Sequence, residues 1–288
     1  MKNNILHLVW AYIKRNIRNY IIDFISYSVF VIVAIAVIAI AFSFSKSYNQ
    51  NVDNTYGTYS GYFTNITDEI QKDLQENPSV LNVTDFYTVG IFNTENSSNP
   101  YIAIGKLDEM AQETTSLKLI DGRMPIEPNE AVLEESVKYQ LAEFIDENGC
   151  LDITYVDFAG VQHSTTFYIV GTVENYIVNQ NIEDIHEGEI GPFNMLPGII
   201  VNDTSDNNNE IQNVFVTLSH DTDIAKFFKS FAKKYSGVEY LVNTGRLSNE
   251  SEHFVFGFKI ILGFVAVLGF LCLFGNIITR KKKILNMQ

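Results

Sequence analysis

The chain has 288 residues, with 20 Lys+Arg against 34 Asp+Glu and a formal net charge of -14. An acidic average of this size excludes a general affinity for nucleic acid. The charge is unevenly placed, however: residues 47–252 carry 33 acids and 10 bases, a net of -23, and the remainder sums to +9.

The basic ends come first in the argument. In residues 1–20, Ile5, Leu8, Val9, Tyr12, Ile13 and Ile17 recur at helical spacing, with Lys14, Arg15, Asn16, Arg18 and Asn19 largely opposite. That pattern predicts an amphipathic helix at the cytosolic interface, with Trp10 and Tyr20 suited to the headgroup level. Residues 24–44 are 21 consecutive residues without a charge. About 20 apolar residues at 1.5 Å rise cross a hydrocarbon core of about 30 Å, and a chain in lipid must satisfy its own backbone, so a spanning helix is expected at 21–45. Ala39-Ile40-Ala41 has the look of a signal-peptidase site, but the apolar run exceeds the 7–15 residues usual for a signal peptide. A retained anchor is the better reading.

The segment 46–252 is large enough for one domain or two small ones. Runs rich in β-branched and aromatic residues predict strands at 82–92, 101–105, 151–158, 165–172, 198–201 and 214–218. Ile66, Ile70 and Leu74 mark one helical stripe, ending at Asn77-Pro78. Ile224, Phe227, Phe228, Phe231 and Tyr235 mark a stronger one, capped by Asp221 or Thr222, with Lys226, Lys229, Lys233 and Lys234 facing water. Strand, helix and strand at about 55–105 and again at 214–243 flank a β-rich stretch at 130–201, with hairpin signals at Asn148-Gly149 and Ala159-Gly160. The order predicts an α+β domain. The polar run 203–210 reads as a connector.

A second uncharged run, 260–278, predicts a second spanning helix at 253–279, followed by a basic tail at 280–288. Lys14, Arg15 and Arg18 precede the first run, and Arg280, Lys281, Lys282 and Lys283 follow the second. The positive-inside rule therefore places both termini in the cytoplasm and 46–252 outside the cell membrane. Gly263 and Gly269 would let another helix approach. Cys150 falls in the outside domain and Cys272 inside the second expected span, so no intrachain disulfide is expected.

No phosphate-cradling Gly-x-x-x-x-Gly-Lys, nucleophile elbow, His-Glu-x-x-His or paired-Cys site occurs, which predicts a chain without catalytic residues, cofactor or metal. His186 lies among acids at 183–189, a pattern that oxygen-ligated cations use. Acidic surface loops produce such clusters routinely, and that is the reading adopted. The spans carry no mid-membrane ionisable residue, so a pore of this chain's own is not expected.

Leu119-Ile120-Asp121-Gly122-Arg123-Met124-Pro125, with Asn129-Glu130-Ala131-Val132-Leu133, resembles the Gly-Arg-x-Pro…Asn-Glu signature of FtsX-like ABC-transporter permeases that have a MacB-like periplasmic core domain. Phe167-Tyr168-Ile169-Val170-Gly171 is similar to that family's Val-Gly strand ending, the segment 6–18 to its cytosolic elbow helix, and 279–284 to the start of its coupling region. The resemblance implies a split α/β "porter" unit at 46–128 and 211–252 with a β-rich insertion at 129–210. It implies that Gly122 permits a tight turn, Pro125 fixes the next loop and Glu130 opens the insertion. It also implies a dimer with a cytosolic ATPase in trans that binds the ATP, relaying motion across the membrane for export, lipoprotein release or cell-wall regulation. Family permeases have four spans, so the sequence is expected to represent an N-terminal half, whether a truncation, a split half or a fragment. The alternative, from another class, is a two-span sensor with an extracytoplasmic ligand-binding domain.

Overall fold

The computed structural model describes residues 2–94, 101–179, 182–183, 195–202, 210–219, 221–246, 257–258 and 260–269. They divide into two compact units, Met1–Asn49 with Asn249–Gln288, and Gln50–Ser248.

Helix α1 runs without interruption over Lys2–Tyr56. This corrects the expectation of an elbow helix at 1–20 separate from a span at 21–45. No Gly or Pro occurs between residues 2 and 56, so nothing in the chain breaks the ladder of i→i-4 hydrogen bonds. Its portion Phe24–Tyr56 is the only helix among the described residues long and apolar enough to cross a membrane. Phe24, Ile32 and Phe42 on that portion are exposed. The expected second span is described only in part, as a short apolar helix at Ile260–Gly269. Within this unit Gly269 lies against Phe30, so close that a Cβ there would stand 2.3 Å from the ring, whereas Gly263 faces open space.

The second unit is built on one mixed sheet of 11 strands among the described residues. The elements are β1 (Gly61–Thr64), α2 (Asp68–Gln75), β2 (Val80–Asn93), β3 (Tyr101–Leu107), α3 (Glu109–Thr114), β4 (Leu119–Gly122), β5 (Glu130–Glu134), α4 (Glu135–Gln140), β6 (Cys150–Val156), β7 (Gln162–Val173), α5 (Tyr176–Asn179), β8 (Ile182–Glu183), β9 (Pro197–Val201), β10 (Ile211–Leu218), α6 (Ile224–Ala232) and β11 (Glu239–Asn243). Strands β2, β3, β9, β5, β7 and β6 pair in a closed ring, with β4 added to β7. Strand β2 also continues outward into an open array, β2-β10-β1-β11-β8.

β2 is 14 residues long and belongs to both parts. Its first half pairs with β10, from Val80↔Leu218 to Thr88↔Ile211, and its second half with β3 and β6. A β-bulge between Thr88 and Gly90 marks the change, as bulges do where a strand turns from one sheet into another. Gly90 is required there: a Cβ would stand 2.4 Å from the Tyr155 ring. The ring of strands encloses Val89, Phe92, Ile104, Leu133, Leu151, Phe167 and Ile199. The β-rich body thus takes in residues 89–107 together with β5, β6, β7 and β9 of the expected insertion, whereas β8 pairs with β11 in the open array.

The open array is covered on one face by α2 and α6. Phe63 of β1 stacks on Phe228 of α6 with ring centroids 4.7 Å apart and lies 5.1 Å from Phe231. The stripes read in the sequence are those that face the sheet, with Ile70, Leu74, Phe228 and Phe231 buried. The helix cap differs: Asp223, not Asp221 or Thr222, accepts the Lys226 N–H at 3.0 Å. A third cluster, including Tyr59, Tyr62, Phe86, Val132, Val173 and Phe215, fills the opposite face and joins the array to the ring. Truncation of Phe63, fully buried among three aromatic rings, should cost about 3–5 kcal/mol. Phe63→Ala in the full-length chain is expected to lower the unfolding midpoint sharply by intrinsic fluorescence, and an unchanged midpoint would place Phe63 outside the cooperative core.

Candidate functional site

The place where structure concentrates without a catalytic constellation is the junction at which α1 enters the folded unit. Every residue discussed for it lies within Gln50–Ser248. A helix ends with four carbonyls that have no partner inside the helix. At α1 three of these, and the carbonyl of the next residue, accept from side chains of two separate segments. The Asp53 carbonyl accepts the Gly57 N–H at 3.0 Å and the Ser116 hydroxyl at 2.6 Å. The Asn54 carbonyl accepts the Lys118 ammonium at 3.3 Å, the Tyr56 carbonyl the Asn243 amide at 2.6 Å, and the Gly57 carbonyl the Arg246 guanidinium at 2.6 Å.

Local sequence explains the stop. Gly57 has φ +78°, the left-handed conformation of a glycine that closes a helix. Thr58 then donates its N–H to the Thr114 carbonyl at 2.8 Å, fixing the exit to the end of α3. Ser116 holds its hydroxyl on Asp53 from a left-handed φ of +52°, a conformation a non-glycine residue adopts only when its surroundings impose it.

Charge is arranged to match. An acid in the last turn of a helix faces the negative end of the helix dipole, which is unfavourable by itself. Asp53 holds that position, and the Arg246 guanidinium lies 2.6 Å from its Oδ1 while also bonding the Gly57 carbonyl. Arg246 ends the 3₁₀ turn Thr244–Arg246 that follows β11. Gly245 in that turn lies under the Tyr56 ring, where a Cβ would stand 2.2 Å away. Asn243, fully buried, gives its amide to both Tyr56 and Tyr59 carbonyls. One helix end is thereby gripped by the loop between α3 and β4 and by the turn after β11.

The motif residues named in the sequence form a second structure. Gly122 has φ +78° and pairs with Gly171 of β7, and a Cβ on Gly122 would stand 2.1 Å from the Val170 carbonyl oxygen. Arg123 donates its N–H to that same carbonyl at 3.0 Å. The two glycines therefore let β4 and β7 approach, and Gly122 is the last residue of strand β4. Beyond it the Arg123 guanidinium grips both oxygens of Glu130, with Nη1 at 2.7 Å from Oε2. Glu130 Oε2 also accepts the N–H groups of Ile126 and Glu127 at 2.9 and 3.0 Å. The loop carrying Pro125 is closed by this carboxylate, and Asn129 continues it by accepting the Tyr168 N–H at 2.8 Å. Glu130 opens β5, paired opposite Tyr168.

The remaining candidates are dispersed. Lys14 and Arg18 are exposed on α1, the Arg15 side chain is outside the described atoms, and Arg280, Lys281, Lys282 and Lys283 lie outside the described residues. The acidic run around His186 also lies outside them, apart from the backbone of Glu183 in β8. Among the described residues no group of three or more His, Cys, Asp or Glu could hold a metal ion. Sequence reasoning missed Asp53, Asn243 and Arg246. The one signal available was Tyr56-Gly57, a helix-closing glycine 12 residues beyond the apolar run.

No family model matches the sequence. No curated protein matches it. Among solved structures the chain is similar to the periplasmic region of MacB from Actinobacillus actinomycetemcomitans, at 16% identity and a TM-score of 0.34, covering 67% of this chain and 92% of that one. It is similar also to the extracellular domain of the noncanonic ABC-type transporter YknZ from Gram-positive bacteria, at 12% identity and a TM-score of 0.34, covering 63% and 98%. At such identity and TM-score these likenesses assign no activity.

The Arg123–Glu130 pair has a pH signature. The Arg123 guanidinium, then the two loop N–H groups, hold the Glu130 carboxyl down to about 2 from an ordinary value near 4.5. A carboxyl whose pKa is lowered on folding adds stability that is complete above its unfolded pKa and is lost as pH falls through the folded one. Glu130→Gln should therefore melt below the parent chain at pH 7, with the gap closing as pH falls from about 4.5 toward 2. Thermal unfolding across that range measures it, and a gap independent of pH would separate Glu130 from the stabilising charge.

Proposed function

We propose that the chain is the N-terminal half of an ABC-transporter permease, with both termini cytoplasmic and residues 46–252 outside the cell membrane. It works as one of two permease copies or halves with a cytosolic ATPase in trans, which binds the ATP. The chain itself holds no cofactor, performs no catalysis and contacts the bilayer through α1 and the 253–279 segment. Its task is to relay motion from the ATPase side to the outer domain, which serves export, lipoprotein release or regulation of the cell wall.

The observation that carries this reading is the grip on the last carbonyls of α1. A helix that merely tethers a domain needs only a flexible exit, since a linker transmits no force. Here the helix end is bonded by Ser116 and Lys118 on one side and by Asn243 and Arg246 on the other. A displacement of the last turn must then move β4 and β11 with it. The motif resemblance at 119–133 and 167–171 and the basic flanks of the two apolar runs support the same reading. The uncharged interior of 24–44 suits a part that moves rather than one that conducts.

Purification of the tagged full-length chain from its native host should recover an ATPase subunit, and adding the chain should change that subunit's hydrolysis rate. Recovery without any ATPase would sink the proposal. Arg246→Ala should leave the ATPase bound and hydrolysis running while reducing the transport-linked response of the outer domain at least several-fold. Equal responses in the variant and the parent would show that this contact transmits nothing.

A further inference from the structure

A cavity of about 340 Å³ lies where β2, β3, the start of α3, the loop carrying Pro125 and the end of β9 meet. That volume is at the small end of the range of about 300–1,000 Å³ usual for small-molecule sites. Walls from so many segments admit a compact ring rather than a running chain. Tyr87 of β2 and Lys106 of β3 are direct cross-strand partners, and Asp85, two residues before Tyr87, shares its face of the strand.

The polar groups of the wall are held in place by bonds to the fold. Gln71 donates to Asp85 Oδ1 at 2.6 Å, the Gln112 amide nitrogen to the Leu107 carbonyl at 2.8 Å, and the Asn202 amide nitrogen to the Ile126 carbonyl at 2.5 Å. The second atom of each group, Asp85 Oδ2, Gln112 Oε1 and Asn202 Oδ1, is an acceptor with no partner among the described residues. The Lys106 ammonium stands 2.5 Å from Glu210. Burial, then the carboxylates of Asp85, Glu210, Asp108 and Asp68, push the Tyr87 phenol above its ordinary value. That phenol therefore stays protonated and can both donate and accept.

We infer that this cavity binds a single neutral sugar ring. The lining disfavours either sign of charge: an anion would meet Asp85, Asp108 and Glu109, and an ammonium would meet Lys106 beside Tyr87. Fixed acceptors next to an ammonium and a phenol call for a neutral group that donates and accepts at once, and a hydroxyl does both. Hydroxyls on adjacent ring carbons present paired donors in the plane that a carboxylate or amide offers. The C–H face of the same ring suits the electron-rich face of an aromatic side chain, which Tyr87 supplies. The carbonyl that orients Asn202 belongs to the loop closed by Arg123 and Glu130, so that clamp also sets one wall of the cavity. All of these residues lie within Gln50–Ser248, and the inference does not depend on the permease reading.

The test titrates the full chain in lipid nanodiscs with glucose, galactose, mannose and N-acetylglucosamine by saturation-transfer NMR, with empty nanodiscs subtracted. At least one of these sugars should bind saturably in the millimolar range, with slowed amide exchange around Tyr87 and Lys106. The amino and uronic acid counterparts of that sugar should each bind about tenfold more weakly, since each brings a charge the lining opposes. Tyr87→Leu should weaken binding by about tenfold. Glu109→Gln, at an exposed position, should weaken it about threefold while leaving the unfolding midpoint unchanged, which separates loss of the site from loss of the fold. Failure of all four neutral sugars to saturate, equal affinity for a charged counterpart, or binding untouched by both substitutions would each overturn the inference.

Discussion

The constraint on which the rest of this structure depends is that a helix cannot leave its last carbonyls unsatisfied. For α1 the partners come from residues 60 to 190 positions away in sequence, at Ser116, Lys118, Asn243 and Arg246. Those partners form only if the sheet is already assembled, because β4 and β11 must be in register for Ser116 and Asn243 to reach the helix. Helix end and sheet therefore stabilise each other. The left-handed turn at Ser116 and the close contact of Tyr56 with Gly245 are tolerated for the same reason: both lie where the surroundings admit no alternative.

The second organising feature is the sharing of β2 between a closed ring and an open array. A closed ring removes strand edges, and an open array of half-covered strands needs helices on its face. The bulge at Thr88–Gly90 lets one strand do both. Aromatic rings then close the seam: Tyr62, Phe86 and Phe215 contact one another at centroid separations of 4.3–5.9 Å. Leu107, Val132, Val173 and Ile200, on strands of the ring, lie in the same cluster as those three aromatic rings, so a shift of the array relative to the ring would have to break that packing.

What could be read from the sequence and what could not follows from range. The Ile66–Ile70–Leu74 and Phe227–Phe231 stripes and the long strands 80–93 and 162–173 announce themselves through local periodicity. Gly122 and Gly171 were legible as motif residues, and their mutual approach supplies the physical reason. The grip on α1 was not legible, since Asn243 and Arg246 are ordinary polar residues until the fold brings them to residue 53. Short strands such as β4 and β5 escaped for a different reason. Leu119–Gly122 has too few residues for a period to show, and Glu130–Glu134 mixes acids with a fully buried apolar centre. The continuation of α1 through the polar residues 45–56 was missed because hydropathy marks where a span ends, not where its helix ends.

The charge asymmetry gains a sharper meaning from the pairing of its few bases. In the body, Lys72, Lys106, Lys118, Arg123, Lys234 and Arg246 each meet an acid. Most of these pairs are exposed and contribute little to stability one by one. Arg123 and Arg246 hold a carboxylate at 2.7 Å or less while also bonding a backbone carbonyl, whereas Lys118, which also reaches a carbonyl, stands 3.5 Å from Glu174. Guanidinium, with several donors in a fixed plane, can hold a carboxylate and a carbonyl at once, whereas an ammonium is a point charge. The acid excess keeps the rest of the surface soluble and self-repelling. Against that uniform background, the two places where arginine fixes the backbone are the end of the membrane-directed helix and the loop beside β4.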